Sequence, residues 1–114
     1  MYHLAKCTTC QAIIKETKIE KRGFAMQDIR TEKITPAQLD EMKELAGSYE
    51  ALFSRRAIMY KELGLKNKKL EEKDYRNYIL EQDTFLKRPV VISGDKIFIG
   101  NEKKTVEALK KFLK

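Results

Sequence analysis

The stretch from Pro89 to Leu113 constrains the fold more than any other part of the chain. Val90-Val91-Ile92 is a β-branched run, Gly94-Asp95 suits a two-residue hairpin turn, and Ile97-Phe98-Ile99 returns as a second strand. Asn101 can cap a following helix in which Val106, Leu109, Phe112 and Leu113 make one apolar face. A hairpin followed at once by an amphipathic helix is half of a layered α/β domain, because the helix must bury its stripe against the sheet.

The N-terminal segment supplies the other half. Met1 to Ala5 is short and fairly apolar, and Lys6-Cys7-Thr8-Thr9-Cys10 leads into helical spacing at Cys10, Ile13, Ile14 and Thr17. Lys21-Arg22-Gly23 reads as the end of that helix, and Phe24 to Ile29 as a second strand, which makes a βαβ unit. Between the halves, Thr35-Pro36-Ala37-Gln38 is a helix start with the makings of a capping box, followed by an apolar stripe at Leu39, Met42, Leu45 and Ala46 and a stop at Gly47. Ser48 caps a short helix through Phe53, another runs from about Arg56 to Leu63, and a fourth from about Glu72 to Glu81 shows Tyr75, Tyr78 and Ile79 on one side. The expected architecture is α/β: a thioredoxin-like four-stranded mixed sheet, built from a βαβ and a ββα unit. The 114 residues, 42% of them hydrophobic, fit a single domain with a central helical insertion at about residues 35–84.

The net charge of +7 is spread along the chain without a basic arm, so it reads as a solvated surface, and no motif of a direct nucleic-acid reader is present. No apolar run reaches the roughly 18 to 20 residues that span a bilayer, and no secretory signal opens the chain, so no membrane role and a cytoplasmic location are expected. Cysteines there rest mostly as thiols.

That setting gives Cys7 and Cys10 their meaning. A Cys-x-x-Cys at a strand-to-helix turn places its first sulfur beside the unpaired amides of a helix N-terminus, which favour thiolate over thiol. Cys7 is therefore the expected nucleophile, and Cys10, one turn further in, the thiol that attacks a Cys7 adduct and resolves it as a disulfide. A pair of buried, inert cysteines is the plainer alternative. A structural zinc site needs four ligands and His3 is the only other Cys or His in the chain, so neither a metal nor a bound cofactor is expected. His3, on the first strand, reads as a packed or hydrogen-bonded residue, with tuning of Cys7 as the functional alternative.

Two arginine motifs add charge. In a thioredoxin-like fold the residue entering the C-terminal hairpin is commonly a cis proline facing the nucleophile, which here is Pro89. Arg88 would then approach Cys7, where a guanidinium can stabilise a thiolate and hold an oxyanion. Ser54-Arg55-Arg56 reads either as an exposed basic pair or as a second positive wall for an anion.

Taken together, Cys7-Thr8-Thr9-Cys10 after a short strand, Arg56 at the head of Ala57-Ile58-Met59-Tyr60-Lys61-Glu62-Leu63-Gly64-Leu65, and Arg88-Pro89-Val90-Val91 before a hairpin and Gly100 resemble the ArsC/Spx family over nearly the whole chain. The resemblance implies an arsenate reductase-like protein, in which the Cys7 thiolate attacks a small oxyanion and Arg56 and Arg88 are the oxyanion ligands. Glutathione with glutaredoxin, or thioredoxin, would be the electron donor. The chain departs from the reductase pattern in carrying Leu4-Ala5 after Tyr2-His3, where Asn-Pro is usual, and Asn101 in place of a third arginine. The same resemblance leaves two other readings: a general thiol-disulfide oxidoreductase, and an Spx-type redox-sensitive transcriptional regulator. The regulator would bind RNA polymerase, at the C-terminal domain of its α chain, through the region from Gly47 to Arg56.

Overall fold

A computed structural model describes residues 1–113 and divides into two compact units, one formed by residues 1–33 with 88–113 and the other by Ile34–Lys87. Its strands are β1 (Tyr2–His3), β2 (Gln27–Asp28), β3 (Val90–Ser93) and β4 (Lys96–Ile99), and its α-helices are α1 (Thr8–Thr17), α2 (Pro36–Ala46), α3 (Ile58–Glu62), α4 (Glu72–Glu81) and α5 (Lys103–Leu113).

The first unit is a mixed four-stranded sheet in the order β2-β1-β3-β4 with helices packed on it. β1 runs parallel to β2, with Tyr2 opposite Gln27 and His3 opposite Asp28, and antiparallel to β3 through Tyr2 and Val90. β3 and β4 form the hairpin, from Val90 opposite Ile99 to Ser93 opposite Lys96. Gly94 takes the positive φ of 62° that the turn requires, where a side chain would be strained. Met1 and Val91 of β3 meet Ile13 of α1, Ile19 and Leu109 of α5 in one buried cluster, with Phe98 and Val106 packed against it.

Local departures from the expected elements have identifiable causes. The second strand is only Gln27–Asp28 rather than Phe24 to Ile29, because its partner β1 is itself two residues long. Beyond it the chain turns, with the Asp28 carboxylate accepting from the Arg30 N–H at 3.0 Å and the Asp28 carbonyl from the Glu32 N–H at 2.8 Å. The first helix stops at Thr17 instead of running to Gly23: Lys18 adopts a left-handed conformation with φ 54°, and residues 19–22 continue as a 3-10 turn. That break brings Ile19 to 0% exposure, and burying an aliphatic side chain offsets the roughly 1–2 kcal/mol cost of a left-handed lysine. At the last helix the Val106 N–H donates to the Glu102 carbonyl at 3.0 Å, so Glu102 rather than Asn101 stands at the cap position.

In the second unit α2 opens with a complete capping box, the Gln38 N–H donating to Thr35 Oγ1 and the Thr35 N–H to Gln38 Oε1, each at 3.1 Å. Ser48 accepts from the Ala51 N–H as a cap would, but the following turn is a 3-10 segment over Glu50–Leu52 and not a helix through Phe53. Phe53 is instead extended and bridged antiparallel to Leu86, with the Ser54 N–H on the Phe85 carbonyl at 2.6 Å and the Lys87 N–H on the Leu52 carbonyl at 2.8 Å. The third helix is correspondingly shorter than Arg56 to Leu63, covering Ile58–Glu62, whereas α4 spans Glu72–Glu81 as its pattern indicates. Phe53 centres the core of this unit, stacking on Phe85 at 5.1 Å and meeting the Tyr75 ring edge-on at 4.9 Å. Asp40 on α2 accepts from Arg76 of α4 at 2.9 Å and from the Tyr49 hydroxyl at 2.6 Å, tying the helices together. Among the described residues no helix is long and apolar enough to cross a membrane.

Candidate active site

The short β1 ends just before the cysteine pair. Just past His3, the Cys7 N–H donates to the Leu4 carbonyl at 3.0 Å, closing a turn that delivers Cys7 to the N-cap of α1 with φ −83° and ψ 115°. Because β1 and β3 are antiparallel, the C-terminal end of β1 lies beside the N-terminal end of β3. The turn carrying Cys7 and the Arg88-Pro89 pair therefore leave the sheet at the same edge. The Arg88–Pro89 peptide is cis. The Pro89 carbonyl accepts from the Gly100 N–H at 2.8 Å, which ties the entry of β3 to the exit of β4.

Both cysteines are free thiols, Cys7 partly exposed and Cys10 at 0% exposure. Their environments drive them apart. Burial opposes ionisation of Cys7, but the Cys10 N–H, the Cys10 thiol proton, the Thr9 N–H and the Arg88 charge together hold Cys7 below the ordinary thiol value. Cys10 is pushed up to about 11 by burial and by the adjacent Cys7, against the Leu4 backbone and Arg88, which act the other way. Of the two thiols, the outer one is thus the more readily ionised.

Arg56 is the second arginine that the family resemblance marks as an expected oxyanion ligand. It lies in the second unit, exposed, in the segment between Ser54 and α3. Its neighbour Arg55 differs, since the Arg55 guanidinium donates to Glu50 at 2.7 Å and to the Tyr75 hydroxyl at 3.2 Å and lies 5.8 Å from the Tyr75 ring centre. Of this basic pair, Arg55 anchors its own segment. His3 is buried at 8% exposure, with Nδ1 lacking a hydrogen-bond partner. Among the described residues no group of three or more His, Cys, Asp or Glu side chains is gathered to hold a metal ion. Asn101 is exposed just after β4.

One residue of the site has no motif to announce it. Gln11, in the first turn of α1, donates from its side-chain amide to the Ala5 carbonyl at 2.9 Å. Its only sequence signal is its position four residues after Cys7, one helical turn further on.

Comparison with known proteins adds a second line of support to this geometry. The model of the ArsC family matches residues 2–109. An arsenate reductase of Neisseria meningitidis is 29% identical over 115 residues, covering 96% of this chain and 95% of the relative. Among solved structures, the arsenate reductase from Vibrio cholerae superposes with a TM-score of 0.72 at 19% identity, covering 96% of this chain and 92% of the other. An arsenate reductase (ArsC) related protein from Brucella melitensis superposes with a TM-score of 0.72 at 20% identity, covering 94% and 89%. At these identities the structural likenesses speak for the fold, which is that of ArsC-family thioredoxin-like proteins.

Proposed function

Because this chain belongs to the ArsC family, we propose that it is a thiol-dependent oxyanion reductase of the arsenate reductase type, with Cys7 as its nucleophile. The observation that carries the proposal is the division of the cysteine pair, with Cys7 held toward thiolate by α1 amides and Arg88 while Cys10 keeps its proton.

The Cys7 thiolate attacks arsenic, a sulfur–arsenic bond forms, and one arsenate oxygen takes up protons and leaves as water. Arg88, a planar donor set beside the sulfur, offsets charge on the remaining oxygens as the bond forms. Once Cys7 is bonded to arsenic its negative charge is gone, which removes one of the influences holding Cys10 protonated. Cys10 passes its proton to an oxygen of the bound arsenic group, and its thiolate attacks the Cys7 sulfur. The sulfur–arsenic electron pair stays with arsenic, which leaves as arsenite, and two sulfurs are oxidised to one disulfide. Two electrons from an external thiol, supplied through glutaredoxin or thioredoxin, restore the dithiol. Arg56 is assigned as a further oxyanion ligand on the strength of the family resemblance.

The test is arsenate-dependent thiol consumption by the purified protein with a glutaredoxin system and with a thioredoxin system. Turnover with one of them, lost in Cys7→Ser, is the expected result. Absence of turnover with both rejects the proposal.

A further inference from the structure

Gln11 holds the chain on both sides of the nucleophile. Its backbone N–H donates to the Cys7 carbonyl at 3.0 Å, as the first bond of α1, while its side-chain amide reaches back to the Ala5 carbonyl at 2.9 Å. Gln11 thus bonds the carbonyl of Cys7 itself through its backbone and the carbonyl two residues before it through its side chain. The turn that carries it, Leu4 to Cys7, is closed internally by the bond from the Cys7 N–H to the Leu4 carbonyl at 3.0 Å. Ala5 and Lys6 within that turn are exposed, and neither is a proline or glycine that would preset the backbone. The Gln11 amide is what fixes the orientation of the Ala5 carbonyl.

From this we infer that Gln11 is a positioning residue for Cys7, setting where its sulfur sits relative to the amides at the start of α1. The inference rests on the reading of Cys7 as the nucleophile and adds to it the means by which the turn is held. Alignment matters because donors arranged around a developing or resident charge lose their effect when the charged atom shifts by a fraction of an ångström. Gln11 carries no charge and does not touch the reacting atoms, so its effect is transmitted through the Ala5–Cys7 backbone. The groups that act directly on the Cys7 charge, Cys10 and Thr9 from α1 and Arg88 from the segment entering β3, are all retained when Gln11 is replaced. Lys6, in the turn itself, is retained as well.

The experiment compares the pH profile of Cys7 alkylation by iodoacetamide in the wild-type protein and in Gln11→Met, an uncharged replacement of similar length with no N–H donor. Gln11 is exposed, so the variant keeps the core intact. The expected result is a profile displaced to higher pH, with alkylation near neutrality slowed about 3- to 10-fold and the high-pH plateau rate unchanged. A profile that superposes on wild type, or one that drops equally at every pH, overturns the positioning role while leaving Cys7 as nucleophile. A wild-type midpoint at or above the ordinary thiol value overturns the nucleophile reading, and the positioning role with it.

Discussion

Arg88 helps to hold the Cys7 thiol in its anionic form, although the two residues belong to chain segments at opposite ends of the sequence. The antiparallel pairing of β1 with β3 brings them to one edge of the sheet. In the proposed mechanism Arg88 has two separable effects, one on the thiolate and one on the oxygens of a bound anion.

Arg88 variants separate those effects. Burial and the α1 amides outrank Arg88 among the influences on Cys7, so Arg88→Ala should slow Cys7 alkylation only modestly at neutral pH. Its effect on arsenate turnover should be far larger, about 100-fold or more, as expected when one donor to a reacting oxyanion is removed. Arg88→Lys keeps a point charge but loses the planar donor pair, so it should restore alkylation more fully than turnover. Equal losses in both assays would show that Arg88 acts on the thiolate alone.

Cys10 ties stability to pH. Its folded-state value of about 11 stands above the ordinary thiol value of 9.0, so between those two values the folded protein binds the proton more tightly than the unfolded chain. The contribution is complete below pH 9.0 and is lost as pH rises toward 11. Cys7 has the opposite sign, its contribution being present above the ordinary thiol value and lost as pH falls through its lowered value. Urea unfolding of the reduced protein should therefore show a fall in stability from about pH 8 to about pH 10.5 that is shallower in Cys10→Ala. Parallel slopes for the two proteins would place the Cys10 proton in an ordinary environment.

Much of the fold is written in local pattern. The Gly94-Asp95 hairpin, the Thr35 capping box and the Tyr75–Ile79 face of α4 each depend on residues close in sequence, and each forms where its pattern lies. What the pattern omits depends on distant partners. The left-handed Lys18 makes sense only once Ile19 has a core to enter, and Phe53 is extended because Leu86 pairs with it. The site divides in the same way. A helix-terminal cysteine pair and an Arg-Pro step before a hairpin can be read directly, whereas the bonds of Gln11 to Ala5 and of Arg55 to Glu50 exist only when a turn and a loop have taken their shapes.

On the proposed mechanism, arsenate oxidises this cysteine pair through Cys7. Fully reduced protein, freed of external thiol and mixed with arsenate, should yield one Cys7–Cys10 disulfide and one arsenite per chain, detected by mass spectrometry of the protein and arsenic speciation of the solution. Cys7→Ser and Cys10→Ser should each form no such disulfide. Wild-type protein that keeps both thiols free after prolonged exposure to arsenate would rule this chemistry out.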